Sequence, residues 1–231
     1  MGSTPTSTAK GEGAIWSAGE RLSCWQCGSE HAPDLFCPAC SAIQPIPEQA
    51  DYFAILGLPR RLTVDAEALQ QRYYDLHRRL HPDRYQTGPQ PARVASLRNT
   101  AAVNRAYRTL RDPVDRGLYW LALRGESLGA NNNKVPAELA ELVFEVHEQL
   151  EELYATRGRN GDGKLERAVA AAHGELLQRQ TGLLQELQEN FARWDSGNSE
   201  ATVLTQELKR ILAALAYLGT LIRDVEKELE T

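Results

Sequence analysis

The chain has 231 residues, of which 42% are hydrophobic and 25% charged, and a formal net charge of −5. That composition suits one or two globular domains with room for a small module. It excludes a membrane-spanning chain, because no stretch approaches the roughly 18 uninterrupted apolar residues such a span requires. Met1–Arg21 lacks the apolar core of an export signal, and with one Lys, one Arg and two Glu it lacks the composition of a transit peptide. The cytoplasm is the expected compartment. Charge is unevenly spread: 2 basic and 5 acidic residues over 1–50, 13 against 7 over 51–125, and 11 against 19 over 126–231. Such asymmetry implies parts that face different partners. The basic segment carries no base-reading motif, so nucleic acid is not an expected partner.

In chain order, residues 1–23 are rich in Ser, Thr, Gly and Ala and read as a disordered leader. All four cysteines fall in a module spanning 24–43. Cys24-Trp-Gln-Cys27 and Cys37-Pro-Ala-Cys40 are two C-x-x-C pairs nine residues apart. Each pair can place two thiolates on one turn, and together they supply the four sulfurs of a tetrahedral ion, so structural zinc on Cys24, Cys27, Cys37 and Cys40 is expected. A redox dithiol is the rival reading, but it normally accompanies a strand–helix unit absent here. His31 is expected to be a loop residue. Gln44–Gln49, with Pro45 and Pro47, reads as a short stiff linker.

From 50 to 125 the pattern is helical. Asp51–Pro59 predicts a short helix closed by Gly57. Asp65 is placed to cap a second helix ending at Leu80, with Leu69, Tyr73, Leu76 and Leu80 on its apolar side and Arg72, Arg78 and Arg79 elsewhere. His81-Pro82-Asp83 follows, and proline disfavours helix at the residue before it, so an exposed bend is predicted. A third helix carries Val103, Ala106, Tyr107 and Leu110 and stops at Asp112-Pro113. A short fourth presents Val114, Leu118 and Leu121.

A second linker, Glu126 to Val135, contains Asn131–Asn133. Three apolar stripes occupy 134–231: Leu139, Val143, Val146, Leu150 and Leu153; then Leu165, Val169, Ala172, Leu176, Leu183, Leu187 and Phe191; then Leu204, Leu208, Ile211, Leu215, Leu218, Ile222, Val225 and Leu229. Single-striped helices need partners, so a three-helix antiparallel bundle is predicted, broken at Arg157–Gly163 and Ser196–Ser199. The main body is all-α. Phe144 lies off its stripe beside Glu141, Glu145, Glu148 and Glu152, and Tyr217 and Leu221 lie off the last stripe. Aromatic residues that a bundle need not bury are interface candidates. Alternatively they complete a wide core, and the glutamates form a plain solvated face.

Asp-Tyr-Phe at 51–53, the basic helix, His81-Pro82-Asp83 and Asn104-x-Ala-Tyr107-x-x-Leu110-x-Asp112-Pro113-x-x-Arg116 together resemble a J domain. The resemblance implies a helical hairpin with two short flanking helices and the tripeptide at its tip. It also implies that His81, Pro82 and Asp83, with Arg72, Arg78, Arg79 and Arg84, face a DnaK-type ATPase; solvation alone is the bland reading of these arginines. The Gly/Phe tract and Cys-x-x-Cys-x-Gly repeats of general DnaJ proteins are missing. Over 51–230 the arrangement is instead similar to HscB-type co-chaperones, and the four-cysteine module resembles the extension on mitochondrial members, which makes the mitochondrial matrix the alternative compartment. That likeness implies a bundle that binds an IscU-type iron–sulfur scaffold and an adaptor role beside a DnaK/HscA-type chaperone. Two other roles remain open: a J protein for a different client, and a zinc-dependent nucleic-acid adaptor. No P-loop or Ser/His/Asp constellation points to an enzyme.

Overall fold

The computed structural model describes residues 21–47, 50–129, 135–156, 163–197 and 200–229. Most of the expected leader, the Asn131–Asn133 linker and the Arg157–Asp162 turn lie outside these residues. The chain divides into two compact units, Met1–Asp112 and Pro113–Thr231.

The first unit opens with two short antiparallel strands, β1 (Leu22–Ser23) and β2 (Glu30–His31), and a bridge between Phe36 and Ile43. Leu22 and Ser23, expected at the end of the leader, are thus already paired. Helices α1 (Tyr52–Ile55), α2 (Ala66–Leu80) and α3 (Gln90–Arg111) follow, with one 3₁₀ turn at Pro82–Tyr85 between the last two. Local chemistry sets their starts. Asp51 accepts from Phe53 N–H at 3.0 Å, and Asp65 accepts from the N–H groups of Glu67 and Ala68 at 2.9 and 3.1 Å. Each bond satisfies an amide that the first helical turn leaves without a partner. Helices α2 and α3 pack as a hairpin, and α1 lies on α3. Leu69, Leu80, Val103, Ala106 and Leu110 are each at most 1% exposed and fill the seam with Phe53.

The second unit contains α4 (Pro113–Leu123), a 3₁₀ turn at Ala137–Leu139, α5 (Ala140–Thr156), α6 (Lys164–Ser196) and α7 (Ala201–Leu229). Helix α5 packs on α6 and α6 on α7. The pairs His173–Glu226, Arg210–Glu186 and Asn190–Glu207 run in opposite senses along α6 and α7, which makes them antiparallel. Gly197 turns the chain between them with φ +68°, a conformation that glycine adopts without steric cost. The three expected stripes are the buried faces, except that Leu165 is half-buried and Leu229 is 41% exposed; the Leu153 side chain lies outside the described residues.

Helix α4 departs from expectation in the face it buries. Its buried residues are Arg116, Gly117, Trp120 and Leu121, while Leu118 is 37% exposed. Its packing partners are α6 and α7, within the second compact unit. Gly117 permits the close approach: a Cβ there would stand 3.2 Å from a Leu212 methyl. The Arg116 guanidinium lies 5.2 Å from the centre of the Phe191 ring, and Trp120 meets Trp194 edge-on. A cation above an aromatic face is attracted by the ring quadrupole, which favours an arginine here although it is only 6% exposed.

Candidate functional site

Three features named from the sequence can be built from their residues. At the first, the tip of the α2–α3 hairpin, Pro82 forces His81 out of helix (φ −54°, ψ 129°) and itself starts the 3₁₀ turn. The His81 Nδ1 accepts from Asp83 N–H at 3.3 Å and lies 3.5 Å from the Asp83 carboxylate. Asp83 also accepts from the Gln86 amide at 3.1 Å. The bend is anchored from behind. Ser96 and Thr100 on α3 both donate to the Leu80 carbonyl, at 2.6 and 3.1 Å, and the Tyr85 hydroxyl donates to the Arg79 carbonyl at 3.0 Å. Burial holds the Tyr85 phenol above its usual pKa against the pull of Arg84 and Arg79, so it stays a donor. These bonds occupy carbonyls that a helix C-terminus leaves open. The tripeptide is therefore presented on a fixed base while His81 and Asp83 stay 43% and 72% exposed.

Ser96, Thr100 and Tyr85 escaped the sequence reading, because hydroxyl groups 16, 20 and 6 residues from their acceptors leave no spacing signature. Replacing both Ser96 and Thr100 by alanine strips the Leu80 carbonyl of these two partners and is expected to destabilise the chain by about 1–3 kcal/mol. Thermal unfolding measures that loss, and hydrogen exchange at residues 81–85 is expected to rise with it. Unchanged exchange at the tip would show that the anchor does not hold it.

Around the tip, Tyr73, His77 and His81 follow one another at four-residue steps. Their ring centroids are 5.6 Å apart, and Tyr107 of α3 stacks on Tyr73 at 4.1 Å. The expected arginines are not equivalent. Arg78 pairs with Asp75, and the Arg79 guanidinium sits 4.0 Å above the Phe36 ring of the cysteine module. Among the described residues Arg72 and Arg84 have no ion-pair partner.

The second feature is the cysteine cluster. Its two knuckles repeat one backbone pattern: Gly28 N–H bonds the Cys24 carbonyl and Ser41 N–H the Cys37 carbonyl, at 2.9 and 2.8 Å. Both residues after the pairs are left-handed, Gly28 at φ +71° and Ser41 at +61°. The four sulfurs lie within 4.8 Å of one another, with Cys24–Cys40 at 3.6 Å and Cys27–Cys37 at 3.8 Å. A tetrahedral zinc with bonds of about 2.3 Å has sulfur–sulfur edges of about 3.8 Å, so the donor set fits such an ion. Burial opposes ionisation of Cys24, but the N–H groups of Cys27 and Gln26 outweigh it and hold the thiol down to about 6. All four are free thiols that could hold a metal ion. His31, expected in a loop, lies in β2 and is 5% exposed.

A polar chain secures this cluster to the hairpin. The Gln44 side chain donates to Cys24 Sγ at 3.3 Å, and its backbone carbonyl accepts from the Asn99 side chain at 2.7 Å. Asn99 Oδ1 in turn accepts from Ile46 N–H at 3.1 Å. Asn99 is fully buried in α3, 55 residues from Gln44 in the chain. Neither residue was singled out from the sequence.

The third feature is on the bundle. Phe144 is 71% exposed, the most exposed of the large apolar side chains among the described residues. Glu141, Glu145, Glu148 and Glu152 are exposed on the same helix. Tyr217 is half-buried, whereas Leu221 is 3% exposed and faces the core instead of standing off it.

Residues 51–119 match the DnaJ domain family, and they carry His81-Pro82-Asp83 at the tip of the α2–α3 hairpin. The chain is 33% identical over 145 residues to the iron-sulfur cluster co-chaperone protein HscB of Mus musculus, and 34% identical over 134 residues to that of Homo sapiens. These matches cover 60% and 56% of this chain but only 62% and 57% of the two relatives, so the chain spans less than two thirds of their length. The crystal structure of the human co-chaperone protein HscB resembles the whole fold with a TM-score of 0.68 at 25% identity, covering 91% of this chain and 100% of that one. In sequence and in fold the chain is thus similar to HscB-type J-domain proteins. Among the described residues no helix is long and apolar enough to cross a membrane.

Proposed function

We propose that this chain is a co-chaperone that binds an IscU-type iron–sulfur scaffold through its bundle and stimulates the ATPase of a DnaK/HscA-type chaperone through its hairpin tip, promoting cluster transfer. The observation that carries this reading is the exposed, back-anchored His81-Pro82-Asp83 bend followed by Arg84, in a chain similar to HscB over most of its length. The names of the relatives support the iron–sulfur assignment. The role is that of an adaptor: two contacts on one chain raise the local concentration of scaffold at the chaperone, and catalysis belongs to the partner. Zinc on Cys24, Cys27, Cys37 and Cys40 leaves no open coordination position, so it supplies a structural cross-link and no reaction chemistry.

The test is steady-state ATP hydrolysis by the chaperone as this chain is titrated in, with and without scaffold. Stimulation that rises further with scaffold is the expected result. Stimulation indifferent to scaffold would remove the proposed client, and no stimulation would remove the co-chaperone role.

The scaffold face is assigned to Phe144, Glu141, Glu145, Glu148, Glu152 and Tyr217; Leu221, being buried, contributes by packing the helix beneath. Phe144→Ala is expected to weaken scaffold binding roughly 30-fold, the loss of an interface anchor worth about 2 kcal/mol. Because the ring is exposed, the unfolding temperature should hardly move. Calorimetric titration of scaffold into the variant checks both the size and the specificity of the effect, since stimulation measured without scaffold should be unaltered.

A further inference from the structure

A cleft of about 710 Å³ separates the Pro33–Leu35 segment of the cysteine module from helix α2, within the first compact unit. Its far wall carries Arg72, Arg78 and Arg79, with Arg84 at the end next to the His81-Pro82-Asp83 bend. Asp34 and Asp75 are the acidic residues on the lining, so four guanidinium groups face two carboxylates. Arg78 is already paired with Asp75, which leaves a surplus of positive charge centred on Arg72 and Arg84. Apolar surface from Leu35, Ile55 and Leu76 lies beneath. The volume falls in the range of roughly 300–1,000 Å³ that ligand-sized sites occupy.

The near wall is not a loose appendage. Arg79 stacks on Phe36, Asn99 ties Gln44 and Ile46 to α3, and Gln44 reaches back to a cysteine sulfur. The width of the cleft is therefore set by the same contacts that hold the four-cysteine cluster.

The geometry points to a second task for the cysteine module: it is one wall of a peptide groove, α2 is the other, and the occupant is an extended segment of the ATPase chaperone bearing acidic and apolar side chains. This rests on the co-chaperone reading given above. Charge complementarity selects the occupant, since a segment with carboxylates would neutralise Arg72 and Arg84 while its apolar groups cover Leu35 and Leu76. Adjacency to the bend means that one partner can engage both at once. The module thereby takes part in chaperone binding as well as in folding.

The test uses the full chain, loaded with metal, and the chaperone in its ATP-bound state. Asp34 is exposed, so Asp34→Lys reverses a charge on the module wall alone. It should tighten binding on the order of threefold to tenfold at low salt, and the gain should fade as the Debye length shortens from about 10 Å at 0.1 M to about 3 Å at 1 M. Arg72→Glu should act in the opposite direction with the same salt dependence. A photo-activatable cross-linker at position 33 should capture the chaperone, and excess unlabelled chain should compete it away.

An Asp34→Lys variant that binds with unaltered or weaker affinity, or a cross-linker that captures nothing, overturns the groove. If His81→Gln meanwhile still abolishes ATPase stimulation, the co-chaperone reading survives that failure. Absence of any binding by the unaltered chain overturns both together.

Discussion

His81→Gln is expected to cut the stimulation of the chaperone ATPase by roughly 30-fold or more, the effect of losing a partner contact of about 2–3 kcal/mol. The fold should tolerate the change. Among the described residues the imidazole accepts one hydrogen bond, from Asp83 N–H, approaches one carboxylate and meets the His77 ring edge-on. Losing a single exposed hydrogen bond costs about 0.5–1.5 kcal/mol, and the Leu80 carbonyl keeps its bonds from Ser96 and Thr100. Most of the bend thus survives without the ring, and the deficit should appear in the ATPase assay with little change in unfolding temperature. Wild-type stimulation by the variant would contradict the role given to the tip. A large fall in stability would show instead that His81 is a structural cap.

Removal of the metal should have an equally large effect, confined to the cysteine module. Besides its cysteines the module buries only Leu35, Ala42 and Ile43 among its apolar residues. Three such side chains, at up to about 1.5–3 kcal/mol each, fall far short of an ordering cost near 1.5 kcal/mol for each residue of the module. Without a cross-link at the sulfurs the module has too little core to hold its shape. In the chain treated with a strong chelator, or in a Cys27→Ser/Cys40→Ser variant, the amides of Gly28, Cys37 and Ser41 should exchange at rates near those of an unfolded chain. Those of α6 and α7, which lie over a separate core of Leu183, Leu187, Leu208 and Leu218, should stay protected. Native mass spectrometry should find one zinc per untreated chain. Protection of the knuckle amides that survives both treatments would count against any structural metal.

Much of the architecture is legible in the residues themselves because its causes are local. Asp65 begins α2 where a capping side chain reaches its own N–H groups two and three residues on. Pro82 breaks the helix because its ring excludes helical geometry at His81. The C-x-x-C pairs meet because a knuckle is a single turn, and the stripes of α5, α6 and α7 are buried because a period near 3.6 puts them on one face of each helix. These relations span a few residues, and physical chemistry at that range is specific enough to name the helices, the bend and the sulfur cluster; the hairpin is implied by the resemblance to a J domain.

Position across distance was decided by the tertiary structure. Leu221 is off the regular stripe by spacing, yet α7 buries a face wide enough to include it. Helix α4 could have buried Val114 and Leu118; it buries Gly117 and Trp120 instead, and the missing side chain at Gly117 leaves the Leu212 methyls undisplaced at this close approach. The anchoring of the tip by Ser96 and Thr100, the stacking of Arg79 on Phe36 and the chain Cys24–Gln44–Asn99 join residues 16 to 55 positions apart. Periodicity says that a side chain faces inward and spacing says that two neighbours can meet. Neither says what waits on the other side, because that partner is chosen by the packing of whole elements.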